Sequence, residues 1–282
     1  MRTWIAIPTL GAACAGVATG LAALRDPHAI DPLLLVAAGL AGAAIAAAVR
    51  ALTQESPASL VAMILAPLLA IITIFELGVA GPRELVAIAA GAWTCVELAR
   101  PSTSAFRART VALLPAVVAT VLDPAFAVMT PIAAIRVLTA WDRPRWAIAI
   151  PIAGVIAFLV RIGLYESQTV VASVDVAAHA IQLADALGPL MATAAIAGLA
   201  VLVRPRHAEI ALLLSIAFAW FAGARSGAAG ATPTLCALAA LSAGLAICRF
   251  AALIRLAPGQ AFVGATAAAI LLLAPAWSIL AR

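Results

Sequence analysis

The sequence predicts an all-α protein, a polytopic transmembrane helical bundle of about nine or ten hydrophobic helices. Three observations support this prediction. First, 66% of the 282 residues are hydrophobic and only 10% are charged, whereas soluble chains carry about 25% charged residues. Second, the apolar residues fall in runs of about 20, the length that crosses a hydrocarbon core of about 30 Å. Third, the runs lack the alternation of membrane β-strands, and a backbone in lipid must satisfy its hydrogen bonds within each segment.

Apolar runs bounded by arginine, proline and acidic residues define the predicted helices. In chain order they lie at 4–24, 30–52, 58–80, 85–99, 110–138, 146–165, 187–203, 208–223, 232–254 and 260–280. Only short connections remain, so residues 1–282 are predicted to form a single integral membrane domain without a soluble domain. The first run is interpreted as a retained helix, because it is longer than the apolar region of about 7–15 residues in a signal peptide. Its Gly16 and Gly20 have the G-x-x-x-G spacing that allows close helix contact.

The run at 110–138 is too long for a straight span and contains Asp123 near its middle, directly followed by Pro124. Pro115 and Pro131 add two further interruptions. Two interpretations stay open. The run forms either a proline-broken or re-entrant helical hairpin that turns at Asp123 and Pro124, or one tilted, proline-kinked span.

The distribution of arginine favours the hairpin. All 17 basic residues are arginine, and they divide eight to nine between the two sides if every run crosses once. If the run at 110–138 returns to its own side, twelve lie on the N-terminal side and five on the other, namely Arg25, Arg83, Arg161, Arg225 and Arg282. This asymmetry satisfies the positive-inside rule with the N-terminus in the cytoplasm and the C-terminus outside.

The pattern becomes amphipathic at 166–186. Gln168, Asp175, His179 and Gln182 fall within an arc of about 60° at helical periodicity. We predict an amphipathic helix along the membrane interface. Continuation into the following run, or an additional span, stays open as an alternative.

Asp123 and Glu76 are candidate substrate-binding residues. An ionisable group far from the ends of an apolar run faces protein or water, where it can accept a proton or bind a cation. The alternative for Asp123 is a structural role as the cap of a helix that starts near Pro124. Glu76 has no local partner, and its alternative is to reach the headgroups, as Arg161 and Arg249 near their helix ends are also expected to do. Glu97 also lies near a helix end, and its i, i+3 spacing from Arg100 indicates a local ion pair.

Asp175 and His179 are the other two candidate substrate-binding residues. Their i, i+4 spacing places the carboxylate close enough to orient the imidazole, as acid-base chemistry requires. A wet polar stripe on an interfacial helix produces the same spacing, and this alternative stays open.

No catalytic residue, metal site or cofactor is predicted. The chain has no lysine, which excludes Schiff-base chemistry. Cys14, Cys95, Cys236 and Cys248 fall inside apolar runs and form no C-x-x-C pair, so neither a zinc site nor a disulfide framework is indicated. No P-loop, dinucleotide fingerprint or nucleophile elbow is present.

The string LDPAFAVM at 122–129, a short arginine-rich turn and the apolar helix after it resemble part of the drug/metabolite transporter superfamily of ten-helix permeases. The resemblance implies an acidic-proline helix in each five-helix half. This chain carries one such helix near its middle and no second copy, so membership of the superfamily is not assigned.

The leading hypothesis is a permease-like transporter of a small molecule, because the chain has many predicted spans, minimal loops and a predicted broken helix with an acidic residue at its turn. The richness in alanine and the lack of lysine and asparagine indicate a bacterium, whose inner membrane is the expected location. The alternatives are a non-catalytic membrane subunit or scaffold, and a lipid-processing enzyme that uses Asp175 and His179. The expected partners are the lipid bilayer and either other membrane proteins or a second copy. Nucleic acid is not expected, because the net charge of +5 is spread over short connections.

Overall fold

The structure, a computed structural model, is helical throughout the part of the chain that it describes, without a β-strand. It describes residues 2–25, 31–53, 57–76, 81–99, 106–139, 144–168, 194–196, 207–226 and 232–280. Three of the described helices are long and apolar enough to cross a membrane, at Pro32–Leu52, Pro57–Phe75 and Pro233–Leu253. The all-helical class and its membrane-type helices are therefore established. The number of spans and the single membrane domain stay predictions.

Eleven helices of more than four residues are described. They are α1 (Arg2–Arg25), α2 (Pro32–Leu52), α3 (Pro57–Glu76), α4 (Pro82–Ala99), α5 (Phe106–Thr110), α6 (Leu113–Leu122), α7 (Met129–Leu138), α8 (Ala149–Gln168), α9 (His207–Ser226), α10 (Thr232–Leu253) and α11 (Pro258–Leu280). Short 3₁₀ helices at Pro124–Phe126 and Arg145–Ile148 precede α7 and α8. Prolines open α2, α3, α4 and α11, where the missing N–H has no helical partner to lose.

The predicted runs agree with the helices to within a few residues at most ends. The main difference is at 110–138, which is divided between α6 and α7. Residues 166–168 continue α8, and the rest of the predicted amphipathic segment lies outside the described residues, so the interfacial helix stays a prediction. Of the run at 187–203, only residues 194–196 are described, and they are helical.

Small residues allow the helix backbones to approach closely. α2 packs between α1 and α4, α3 packs against α10, and many alanines at these contacts have no exposed surface. The closest approach joins Gly11 and Gly42, where a Cβ atom on Gly42 would lie 2.5 Å from the carbonyl oxygen of Gly11. At Gly16, the first glycine of the G-x-x-x-G spacing, a Cβ atom would meet nothing within 4 Å. Gly16 lies on the exposed face of α1, opposite the buried Ala15 and Ala18.

The two ends of the bundle differ in charge. α4 and α10 both begin beside Asp123, since Arg83 Nε donates to the Leu122 carbonyl at 3.1 Å and Thr234 Oγ1 donates to the Asp123 carboxylate. We call this the Asp123 end.

The opposite end, which we call the arginine end, lies where α4 and α10 finish. Arg136 Nη1 donates to the carbonyl of Glu97 in the last turn of α4, and Arg249 near the end of α10 forms an ion pair with Glu209. The described arginines at this end are Arg50, Arg109, Arg136, Arg145, Arg249 and Arg255. At the Asp123 end, the arginines whose side chains are described are Arg83 and Arg161.

A Schellman motif ends α10 and places Arg255 in the left-handed region at φ 52°. Leu256 N–H donates to the Ala251 carbonyl at 3.4 Å, and Arg255 N–H donates to the Ala252 carbonyl at 3.3 Å. Glycine is the usual residue at this position because it has no Cβ atom to strain the backbone.

Arg255→Gly is therefore expected to stabilise the fold by about 1 kcal/mol, the cost of a left-handed non-glycine residue. Thermal unfolding of the purified protein in one fixed detergent measures the change. A lower unfolding temperature than that of the unsubstituted protein would contradict the expectation.

Candidate functional site

Asp123 ends one helix and begins the next. Its backbone is extended, at φ −137° and ψ 120°, which suits a residue before proline. Its N–H donates to the Ala119 carbonyl at 2.9 Å, and its carboxylate oxygen Oδ1 accepts a hydrogen bond from the Ala125 N–H at 2.8 Å. The side chain thus caps the 3₁₀ helix that starts at Pro124.

The chain reverses direction at this cap. Two buried threonines join α6 to α7, because Thr120 and Thr130 hydroxyls lie 2.8 Å apart and Thr130 also donates to the Ala116 carbonyl at 3.2 Å. At the open end of the pair, Arg109 Nη1 donates to Thr139 Oγ1. The two halves of residues 106–139 are therefore in contact at both ends, and we call this segment the Asp123 hairpin.

A phenylalanine seats the tip of the hairpin on α4. Phe126 is 1% exposed, and its ring lies against Gly91, where an added Cβ atom would come within 2.4 Å of Phe126 Cε1. Glycine at this position leaves the space that the ring occupies. The aromatic contact fixes where Asp123 lies along α4.

The Asp123 carboxylate is buried among residues from three other helices. It is 6% exposed, and its second oxygen, Oδ2, accepts the hydrogen bond from Thr234 at the start of α10. Glu84 of α4 and Arg161 of α8 are close enough for their charges to act on it. Among the described residues, Arg161 Nε is buried and has no hydrogen-bond acceptor. Asp123, Glu84, Arg161 and Thr234 therefore define the candidate site.

The four residues predicted from sequence have different outcomes. Only Asp123 has a described side chain. Glu76 is the last residue of α3, and the structure describes its backbone but not its side chain. Asp175 and His179 lie outside the described residues. All four stay predictions as substrate-binding residues.

The other three site residues, Glu84, Arg161 and Thr234, were not singled out from the sequence as binding residues. Thr234 had no local signal, since it lies 111 residues from Asp123 and meets it only through packing. Arg161 was expected to reach the headgroups, whereas its Nε atom is buried. A charged residue inside an apolar run was the signal that could have marked Arg161.

Two other charges near helix ends are held within the protein. Glu97 is 6% exposed at the arginine end, and Arg249 is paired with Glu209, whose side chain is 3% exposed. Burial of a carboxylate beside guanidinium groups is the arrangement that limits the cost of removing charges from water.

A cavity of about 390 Å³ lies elsewhere, between α10 and α11, and is lined by apolar side chains. Asp123 does not line it. Within the described ranges, no group of three histidine, cysteine, aspartate or glutamate residues could hold a metal ion.

Comparison of the chain with protein families, curated proteins and solved structures finds no match. The class that the fold defines is an all-helical protein with membrane-type helices.

Proposed function

We propose that the chain is a multi-pass protein of a bacterial inner membrane and acts as a permease-like transporter of a small molecule. The observation that carries the proposal is the double attachment of the Asp123 carboxylate. One oxygen binds the Ala125 N–H within the hairpin, and the other binds Thr234 on α10. A proton or cation that neutralises the carboxylate weakens both bonds, because hydrogen bonds to a charged acceptor are the stronger ones.

Such a carboxylate can couple ion binding to movement. The Asp123 hairpin and α10 are separate in sequence and are joined here through Asp123 and Thr234. Discontinuous helices with an ionisable group at the break are typical of secondary transporters, which bind substrate and coupling ion at such places. Loss of the bond to Thr234 frees the hairpin tip to move relative to α10, and substrate binds between the two elements.

The charges support an orientation. Six described arginines lie at the arginine end, and Arg83 and Arg161 lie at the Asp123 end. The positive-inside rule then places the arginine end in the cytoplasm. In this arrangement the hairpin is re-entrant, and its tip points toward the outside.

Replacement of the carboxylate tests the proposal. Proteoliposomes are exposed to a defined mixture of small metabolites, and their contents are measured by mass spectrometry. Asp123→Asn and Thr234→Val are each expected to lower uptake about tenfold or more, because a hydrogen bond to a charged group contributes roughly 1.5–3 kcal/mol and 1.4 kcal/mol is a factor of about ten.

Asp31→Asn is the matched control. Asp31 caps the exposed start of α2 by accepting from the Leu33 N–H at 3.0 Å, and asparagine caps a helix about as well. This variant is expected to take up substrate like the unsubstituted protein. If the unsubstituted protein takes up substrate and Asp123→Asn takes up as much, Asp123 has no part in the mechanism.

The second candidate is a non-catalytic membrane subunit. It is favoured by the apolar lining of the cavity between α10 and α11, a surface that a partner helix can cover. Purification in a mild detergent separates the two functions. A partner that remains bound at fixed stoichiometry supports the subunit, and a protein that takes up solute without a partner supports the transporter.

A further inference from the structure

The cavity between α10 and α11 is a groove with apolar walls. Ala246, Phe250 and Ile254 line it from α10, and Ala265 and Leu272 line it from α11. Residues 246–254 extend over about 12 Å at the helical rise of 1.5 Å per residue. The volume of about 390 Å³ lies within the range of small-molecule sites, about 300–1,000 Å³.

A positively charged residue adjoins one end of this groove in the chain. Ile254 and Leu256 line the groove, and the exposed Arg255 lies between them in the chain. Arg249 is paired with Glu209, whereas no carboxylate among the described residues pairs with Arg255. The sequence from residue 246 to residue 282 contains no acidic residue, so nothing within this segment offsets the charge.

The depth of Arg255 in the membrane follows from its position relative to the end of the span. The apolar stretch of α10 that is long enough to cross a membrane ends at Leu253. Arg255 follows two residues later and therefore lies at the depth of the lipid headgroups. It also belongs to the arginine end, which the charge asymmetry assigns to the cytoplasmic leaflet, where anionic lipids are concentrated.

We propose that this groove binds an acyl chain of an anionic phospholipid whose phosphate contacts Arg255. A flat apolar face accepts any lipid, but a concave groove with a cation at headgroup level selects a lipid that carries both a chain and a negative phosphate. Basic sites between transmembrane helices bind anionic headgroups by this combination. The inference rests on the membrane placement proposed above but not on transport, because Asp123 does not line the groove.

Native mass spectrometry of the purified protein tests the site with two probes, phosphatidylglycerol and phosphatidylcholine of the same chain length. The unsubstituted protein is expected to retain phosphatidylglycerol about tenfold better, as a charge-assisted contact implies. Arg255→Gly is expected to abolish this preference while the protein still folds, because glycine suits the left-handed backbone at this position. The matched control, Arg145→Gly, changes another exposed arginine at the same end and is expected to keep the preference.

A second variant fills the groove itself. A Cβ atom on Gly264 meets only Leu256 Cδ1, at 3.9 Å, so Gly264→Leu adds a side chain without a clash at its first atom. It is expected to lower retention of both lipids. Gly39→Leu, on an open face of α2, is expected to change neither.

Several outcomes overturn the proposal. Equal retention of the two lipids by the unsubstituted protein excludes an anionic phospholipid, and a preference that survives Arg255→Gly excludes the phosphate contact. If the Gly264→Leu protein folds and retains both lipids as well as the unsubstituted protein does, the lipid binds elsewhere. A dimer that forms without lipid and that Gly264→Leu dissociates would assign the groove to a second copy instead.

If Gly264→Leu does not fold, Ala268→Leu, also on the groove wall, takes its place with the same expectations.

Discussion

Replacing Arg136 with methionine is expected to destabilise the protein by about 3 kcal/mol. Arg136 is 6% exposed, donates to the Glu97 carbonyl at the end of α4, and is attracted by the charge of Glu97. Removing one member of a buried charged network costs about 3–5 kcal/mol, because the remaining charge stays buried.

We expect the lower end of this range of destabilisation because Arg109 lies near Arg136. Its guanidinium repels that of Arg136, so the substitution relieves one unfavourable interaction. The backbone carbonyl of residue 136, which accepts from Thr139 Oγ1 at 2.7 Å, is retained in the variant. The loss is therefore confined to the side chain that ties the base of the Asp123 hairpin to α4.

Arg145→Met is the control for this prediction. Arg145 lies at the same end but is exposed, so its replacement is expected to change stability by no more than about 0.5 kcal/mol. The free energy of unfolding of both variants is measured in mixed micelles that contain increasing fractions of a denaturing detergent. Equal effects of the two substitutions would show that the buried network does not hold the hairpin.

Gly42→Ala is expected to destabilise the protein by about 2 kcal/mol, although alanine is the better helix former. The added Cβ atom would lie 2.5 Å from the carbonyl oxygen of Gly11 and 2.6 Å from Ala15 Cβ. These atoms belong to the backbone or to a side chain without rotamers, so α1 and α2 must move apart. Overpacking of this kind costs about 1–3 kcal/mol, and more where backbone is met directly.

The same change three residues earlier provides the matched control. Gly39 lies in α2 and an added Cβ atom there meets nothing within 4 Å. Gly39→Ala is expected to stabilise the helix by about 1 kcal/mol through its higher helix propensity. The two variants therefore differ in sign, and unfolding in one detergent distinguishes them. A stabilising effect of both would contradict the close approach of α1 and α2.

The sequence predicts the position of the Asp123 cap because local rules govern it. Proline removes a backbone donor and restricts the residue before it, and an aspartate there accepts the free N–H groups of the next helix. Asp123 and Pro124 satisfy these rules in adjacent positions. The ends of most apolar runs follow from equally local signals, since prolines stand at the first positions of several helices.

The surroundings of Asp123 could not be predicted in the same way. Thr234 and Arg161 come to the carboxylate from α10 and α8, and no sequence spacing encodes these contacts. The burial of Glu97 beside Arg136 of the hairpin is likewise not encoded in local sequence spacing. The face of α1 that meets α2 also cannot be read from the sequence, because small residues occupy both faces.

We propose that the chain enters and leaves the membrane on one side around the Asp123 hairpin. Cysteine labelling in intact cells tests it most directly. Cys14, Cys95, Cys236 and Cys248 are buried, and their replacement by alanine gives a background without native thiols. Single cysteines are then placed in the 100–109 connection, in the 139–145 connection, and at the exposed Arg83 of the Asp123 end.

A membrane-impermeant maleimide is expected to label the cysteine at position 83 from outside. It is expected to leave both connection cysteines unlabelled until the cells are opened. Labelling of the two connections from opposite faces would contradict the account, because residues 106–139 would then cross the membrane once.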